Sequence, residues 1–149
     1  MPKIQTNDPA MSMPGWKKVS FIDRVYVRNY RRLGGSVAFN ITEGEQLYTF
    51  TCEKTQQSCE QTDNAYMHSI EVQVGVRARN YEPLFDTIST KSLIVMLTDY
   101  NGVEWVAGSP DEPLAMTWRE GDSGPGEANP AILTFSGETQ DPLLKRFIP

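Results

Sequence analysis

Leu93-Ile94-Val95-Met96-Leu97-Thr98, followed by Asp99-Tyr100-Asn101-Gly102 and then by Val103-Glu104-Trp105-Val106-Ala107, is the stretch that decides the fold class. Two short apolar segments are joined by an Asn-Gly turn, the strongest local signal for a β-hairpin; a type I′ turn needs positive φ at both central residues. A Gly/Pro-rich segment and one more apolar run, Ala131-Ile132-Leu133-Thr134-Phe135, follow. This is the pattern of a small all-β unit.

Upstream, the period of two recurs. Ile70, Val72, Val74, Val76 and Ala78 alternate with Glu71, Gln73, Gly75, Arg77 and Arg79, which predicts a strand about 30 Å long with one wet face. Val19-Ser20-Phe21, Arg24–Arg28 (Val25 and Val27 on one face), Ser36–Ile41, Leu47–Cys52 and Leu114–Arg119 read as further strands, with a Gly34-Gly35 turn after Arg31-Arg32-Leu33. Glu53–Asn64 is polar and aperiodic and reads as a long loop, as does Glu120–Pro130 with its glycines and prolines. Between Tyr81 and Thr90 the pattern breaks: Pro83 suits a first helical turn, and Leu84, Phe85 and Ile88 fall at helical spacing. The expected fold is mainly β, a β-sandwich or barrel of about eight to ten strands with one short helix near residues 82–90.

With 149 residues and 39% hydrophobic content, one domain with one core is expected over residues 17–149, preceded by an extended arm over 1–16 in which Pro2, Pro9 and Pro14 oppose a helix. Trp16 either anchors that arm on a neighbour or closes one end of its own core. The tail, with Leu143, Leu144, Phe147 and Ile148, is too apolar to be left in water and must pack on its own body or on another chain.

The net charge of −5 disfavours generic phosphate binding, and no specific nucleic-acid partner is expected although aromatic and basic residues adjoin at Trp16/Lys17/Lys18, Tyr26/Arg28 and Tyr30/Arg31/Arg32. The charge is uneven: Lys3, Lys17, Lys18, Arg24, Arg28, Arg31 and Arg32 face only Asp8 and Asp23 within the first 32 residues, leaving the remainder strongly acidic. Such a dipolar chain either presents a solvated basic face or docks that face on an acidic flank of a neighbour. Trp16, Arg28, Arg31, Arg32, Leu143, Leu144 and Phe147 are the candidate interface residues. No apolar run approaches a membrane span, so no membrane partner is expected, and the N-terminus lacks the apolar core of a secretory signal, so cytoplasmic synthesis is expected. Free thiols are then favoured at Cys52 and Cys59, with a hairpin-tip disulfide as the alternative.

Catalytic equipment is sparse. His68 is the single histidine, has no Gly-x-Ser-x-Gly elbow near it, and reads as a partly exposed strand residue. Asp111, Glu112, Asp122, Glu127 and Asp141 have no calcium-loop spacing, two cysteines and one histidine fall short of a zinc set, and Gly121–Gly126 lacks the Gly-Lys-Ser/Thr ending of a phosphate loop. No catalytic residue, metal or cofactor is expected. A ligand- or carbohydrate-binding sandwich with Tyr100, Trp105 and Trp118 as a stacking platform is the alternative to an assembly role.

The Asp99-Tyr100-Asn101-Gly102 turn, Trp105, Gly108, Pro113-Leu114, the Gly/Asp-rich loop, Leu133-Thr134-Phe135-Ser136-Gly137-Glu138 and Pro142 together resemble small virion proteins of tailed phages and prophages of Bacteroides-like bacteria. The resemblance covers residues 84–142 and rests on turn and strand residues. It implies a β-rich, ring-forming homo-oligomer in a tail, neck or baseplate, made in the host cytoplasm, located in the virion and contacting other virion proteins. It brings no catalytic residues.

Overall fold

The computed structural model describes residues 15–42, 47–121 and 129–147. Ten strands and one helix follow in order: β1 Lys18–Asp23, β2 Val27–Leu33, β3 Ser36–Ile41, β4 Tyr48–Gln61, β5 Tyr66–Arg77, α1 Glu82–Ile88, β6 Leu93–Thr98, β7 Glu104–Ala107, β8 Ala115–Glu120, β9 Pro130–Thr139 and β10 Leu144–Arg146. The strands form one curled, half-barrel sheet in the order β2-β3-β10-β7-β6-β1-β4-β5-β9-β8. The expected mainly-β fold with one short helix is the one observed.

The curl has identifiable causes. The first residues of β4 pair with β1, while the strand from Cys52 onward pairs with β5, and a bulge between Cys52 and Lys54 bends it. On the far side, Leu93 and Leu114 exchange reciprocal backbone hydrogen bonds of 2.8 Å, tying the start of β6 to the segment entering β8. Gly137 permits this approach. A Cβ there would lie 2.6 Å from Leu114 Cδ2 and 3.1 Å from the Pro113 carbonyl oxygen.

Two cores lie on opposite faces of β1 and β6. Val19, Phe21, Leu93, Val95 and Leu97 face the larger one, with Phe50, Ile70, Val72, Val74, Leu133, Phe135 and the helix residues Phe85 and Ile88. Ile22, Ile94 and Met96 face the smaller one, with Val27, Val37, Phe39, Val106 and Leu144. Burial on both faces is why β6 reads as an unbroken apolar run instead of alternating. Stacked and tilted rings run from Phe21 through Phe50 and Phe85 to Trp118, so α1 is held to the sheet largely by aromatic packing.

Several sequence expectations change. Glu53–Gln61 is not a loop but the distal half of β4, paired with β5 from Lys54 to Gln61. Its inward positions are Thr55, Gln57 and Cys59, so the apolar half of the usual alternation is missing there, and β5 supplies it with Ile70, Val72 and Val74. Cys52 and Cys59 therefore sit on one strand, separated by about 23 Å at ~3.3 Å per residue, beyond the reach of a disulfide, and both are free. Val25 does not share a buried face with Val27. The Asp23 carboxylate accepts from Val25 N–H (3.1 Å), a single 3-10 turn spans Arg24–Tyr26, and Val25 is 58% exposed. The Asn101-Gly102 hairpin exists, but only Gly102 has positive φ (85°). Asp99 Oδ1 accepts from the N–H of Asn101 and of Val103, a side-chain-stabilised turn ending in a left-handed glycine instead of type I′. β9 continues past Phe135 to Thr139. The apolar tail is split: β10 inserts between β7 and β3, Leu144 is buried and Leu143 half-buried on the chain's own body, Phe147 is half-exposed, and Ile148 lies outside the described residues. Residues 1–14 of the arm, and Asp122 and Glu127 of the glycine-rich segment, lie outside the described residues.

Candidate functional site

The terminal strands β2 and β3, with β10, carry the most distinctive surface. A regular strand would put Arg28 and Arg31 on opposite faces. Asn29 adopts φ 55°, and the register shifts between Arg28 and Arg31, so a bulge brings both onto the face opposite the smaller core. There Arg28 pairs with Asn40, Arg31 with Ala38 and Leu33 with Ser36. Ser36 is in turn opposite Lys145, and Lys145 opposite Trp105. Alternation along β10 puts Phe147 on the face of Lys145, and Phe147 N–H donates to the Val37 carbonyl (2.7 Å). One exposed face thus gathers Arg28, Arg31 and Lys145 around Leu33 (44% exposed) and Phe147 (50% exposed). Arg28 Nε donates to Thr42 Oγ1 (3.3 Å), and none of the three cations forms an ion pair with a described residue.

Of the residues singled out in the sequence, this face unites Arg28, Arg31 and Phe147. Arg32, one residue on, points the other way and is ion-paired with Asp141. Leu144 is buried in the smaller core, while Leu143 and Trp16 pack half-buried against the larger one. Leu33 and Lys145 were not singled out, because only cross-strand register reveals that they share a face with Arg31 and Phe147.

A second polar cluster is internal. His68 is fully buried, not partly exposed. Its Nε2 lies 2.9 Å from Thr139 Oγ1 and 3.0 Å from the Asp141 carbonyl oxygen, while the Thr139 hydroxyl donates to that same oxygen at 2.6 Å. A carbonyl only accepts, so Nε2 carries the proton, and the buried Nδ1 has no partner among the described residues. Burial lowers the His68 pKa, and the bond to the Asp141 carbonyl opposes this only in part. Cys59 is directly opposite His68 on β4, yet burial raises its pKa against a backbone hydrogen bond from Leu143. Both shifts favour the neutral thiol and neutral imidazole, the reverse of the thiolate–imidazolium pair that nucleophilic catalysis uses. Cys52 is pushed up to about 12 by burial, and Tyr30, desolvated beside Asp141, also to about 12. Chemically, the His68 cluster ties the start of β5 to the end of β9 and to the turn at Asp141 that leads into β10.

The three aromatic residues of the alternative binding platform do not converge. Trp118 donates to Asp86 on α1 (2.9 Å), whereas Trp105 donates to Asp99 in the β6–β7 turn (3.2 Å). Trp105 stands on β7 and Trp118 on β8, which are separated in the sheet by β6, β1, β4, β5 and β9. Among the described residues no three His, Cys, Asp or Glu side chains come together as a metal-ligand group, and no helix is long and apolar enough to cross a membrane.

Comparison with protein-family models, with characterised proteins and with solved structures finds no match for this chain.

Proposed function

We propose that this chain is a non-catalytic structural subunit of a phage tail, neck or baseplate, which joins a ring or tube through its β-sheet surfaces and touches other virion proteins there. The observation that carries this reading is the exposed face on β2, β3 and β10. Large apolar side chains surrounded by unpaired cations form a hydrophobic centre with a charged rim, the anatomy of a docking surface. The face adjoins β2, the terminal strand of the sheet, whose outer edge has no strand beside it among the described residues. An open edge is a ready template for pairing with another chain. The resemblance of its turn and strand residues to small virion proteins points to the same reading. The test is negative-stain imaging of the purified full-length chain. Rings or tubes of one diameter are expected; a field of single small particles at high concentration contradicts it.

A further inference from the structure

The outer face of β4, β5 and β9 carries a row that complements the basic face. Glu60 is directly opposite Met67, and Met67 directly opposite Glu138, so two carboxylates flank a methionine that is 41% exposed. Asp63, exposed in the β4–β5 turn, adds a third carboxylate. None of the three is ion-paired with a described residue. The adjacent row of that face, Ser58, Ser69, Ser136 and Ala115, is uncharged, so the acidic row is not neutralised from alongside.

The two surfaces are opposite in sign and alike in composition. Glu60 and Glu138 stand two strands apart in one row, about 10 Å at ~4.8 Å per strand; Arg31 on β2 and Lys145 on β10 are also two strands apart but in adjacent rows of their face, about 12 Å with ~3.3 Å per residue along the strand. Each surface places large apolar side chains among its charges, Met67 on one and Phe147 with Leu33 on the other. They lie on different strands, with β7, β6 and β1 between them in the sheet. A contact between them is head-to-tail, the kind that builds rings when the rotation closes and filaments when it does not.

We infer that the occupant of the basic face is a second copy of this chain, docked through Glu60, Met67, Asp63 and Glu138. The inference rests on the assembly reading above and gives it a specific contact. Arg28 and Arg31 meet the carboxylates at the rim, Phe147 and Leu33 pack on Met67, and the contact repeats from copy to copy.

The test uses two full-length charge-reversed variants, Arg28→Glu/Arg31→Glu/Lys145→Glu and Glu60→Lys/Asp63→Lys/Glu138→Lys. Solution mass is read by light scattering and folding by circular dichroism. Each variant alone is expected to fall to the single-chain mass of 16.8 kDa with its β-signal intact. An equimolar mixture is expected to reassemble, since every junction is again basic against acidic; that rescue also rules out misfolding as the cause of dissociation. Folded variants that dissociate but do not reassemble on mixing overturn the pairing. Variants that keep the parent's oligomeric mass overturn it while leaving assembly through another surface standing. A parent protein that is itself a single chain overturns both.

Discussion

Gly137→Ala probes the closure of the sheet most sharply. Gly137 faces inward on β9, next in line to His68, and an added methyl would stand 2.6 Å from Leu114 Cδ2, 3.1 Å from the Pro113 oxygen and 3.3 Å from Leu114 Cα. Two of those atoms are backbone, and the third belongs to a buried leucine. The Pro113–Leu114 segment must therefore retreat, and it holds the two 2.8 Å hydrogen bonds with Leu93. Overpacking of this kind costs ~1–3 kcal/mol, and each backbone hydrogen bond lost adds ~1 kcal/mol. The expected destabilisation is about 2–4 kcal/mol, a fall in Tm of roughly 5–15 °C for a chain of this size. Urea unfolding gives the free energy, and amide exchange at Leu93 and Leu114 locates it. Gly75→Ala is the control, because its added methyl meets only the exposed Glu53 side chain at 3.6 Å or beyond, and its change should stay within ~0.5 kcal/mol. A Gly137→Ala protein within ~0.5 kcal/mol of the parent, with both amides still protected, refutes the reasoning.

Three further outcomes are expected. Burial holds His68 below its ordinary 6.5, so the unfolded chain takes up a proton that the folded chain refuses. Stability is then full above about pH 6.5, falls as the pH drops below it by at most ~1.4 kcal/mol per pH unit, and levels off below the folded pKa. His68→Asn should flatten that part of a Tm-against-pH curve, and equal slopes in parent and variant would contradict the assignment. Oxidation should leave no bond between Cys52 and Cys59, and alkylation at neutral pH should be slow at both raised thiols; an intrachain disulfide found by mass spectrometry would place β4 wrongly. Phe85→Ala removes the ring that touches Phe50, Tyr81 and Trp118 and should cost ~3–5 kcal/mol in urea unfolding, whereas a loss under ~1 kcal/mol would mean that α1 is held by something else.

What the sequence made legible, and what it hid, follow from where each strand's apolar neighbours lie. β5 alternates because one face meets the larger core and the other meets water, so its pattern was readable directly. β6 was equally visible as a run, since both its faces are covered. The distal half of β4 was hidden because its inward residues are polar and its partner supplies the apolar surface. The 3-10 turn after β1 and the bulge at Asn29 reset the period of two, which moved Val25 into water and brought Arg28 and Arg31 to one face. β10 is a three-residue strand lying parallel to β3 and antiparallel to β7, an arrangement that no local pattern announces.

The same logic applies to the surfaces. Arg28, Arg31 and Phe147 were visible as charged or apolar residues in unusual places. Their company with Leu33 and Lys145 is a property of register, as is the alignment of Glu60, Met67 and Glu138 from three strands. Arg32 looked equivalent to Arg31 in the sequence, but strand alternation turned it to the opposite face, where it pairs with Asp141 at the surface. Three cations and three carboxylates of this chain thus meet on two separate faces through strand register, from positions far apart in the sequence.

The most direct measurement is the solution mass of the full-length protein by light scattering, at low and at high salt. Assembly through complementary charge gives a multiple of 16.8 kDa at low salt, falling as salt rises from ~0.1 M to ~1 M and the screening length shrinks from ~10 Å to ~3 Å. A mass of 16.8 kDa at every concentration and salt would contradict it.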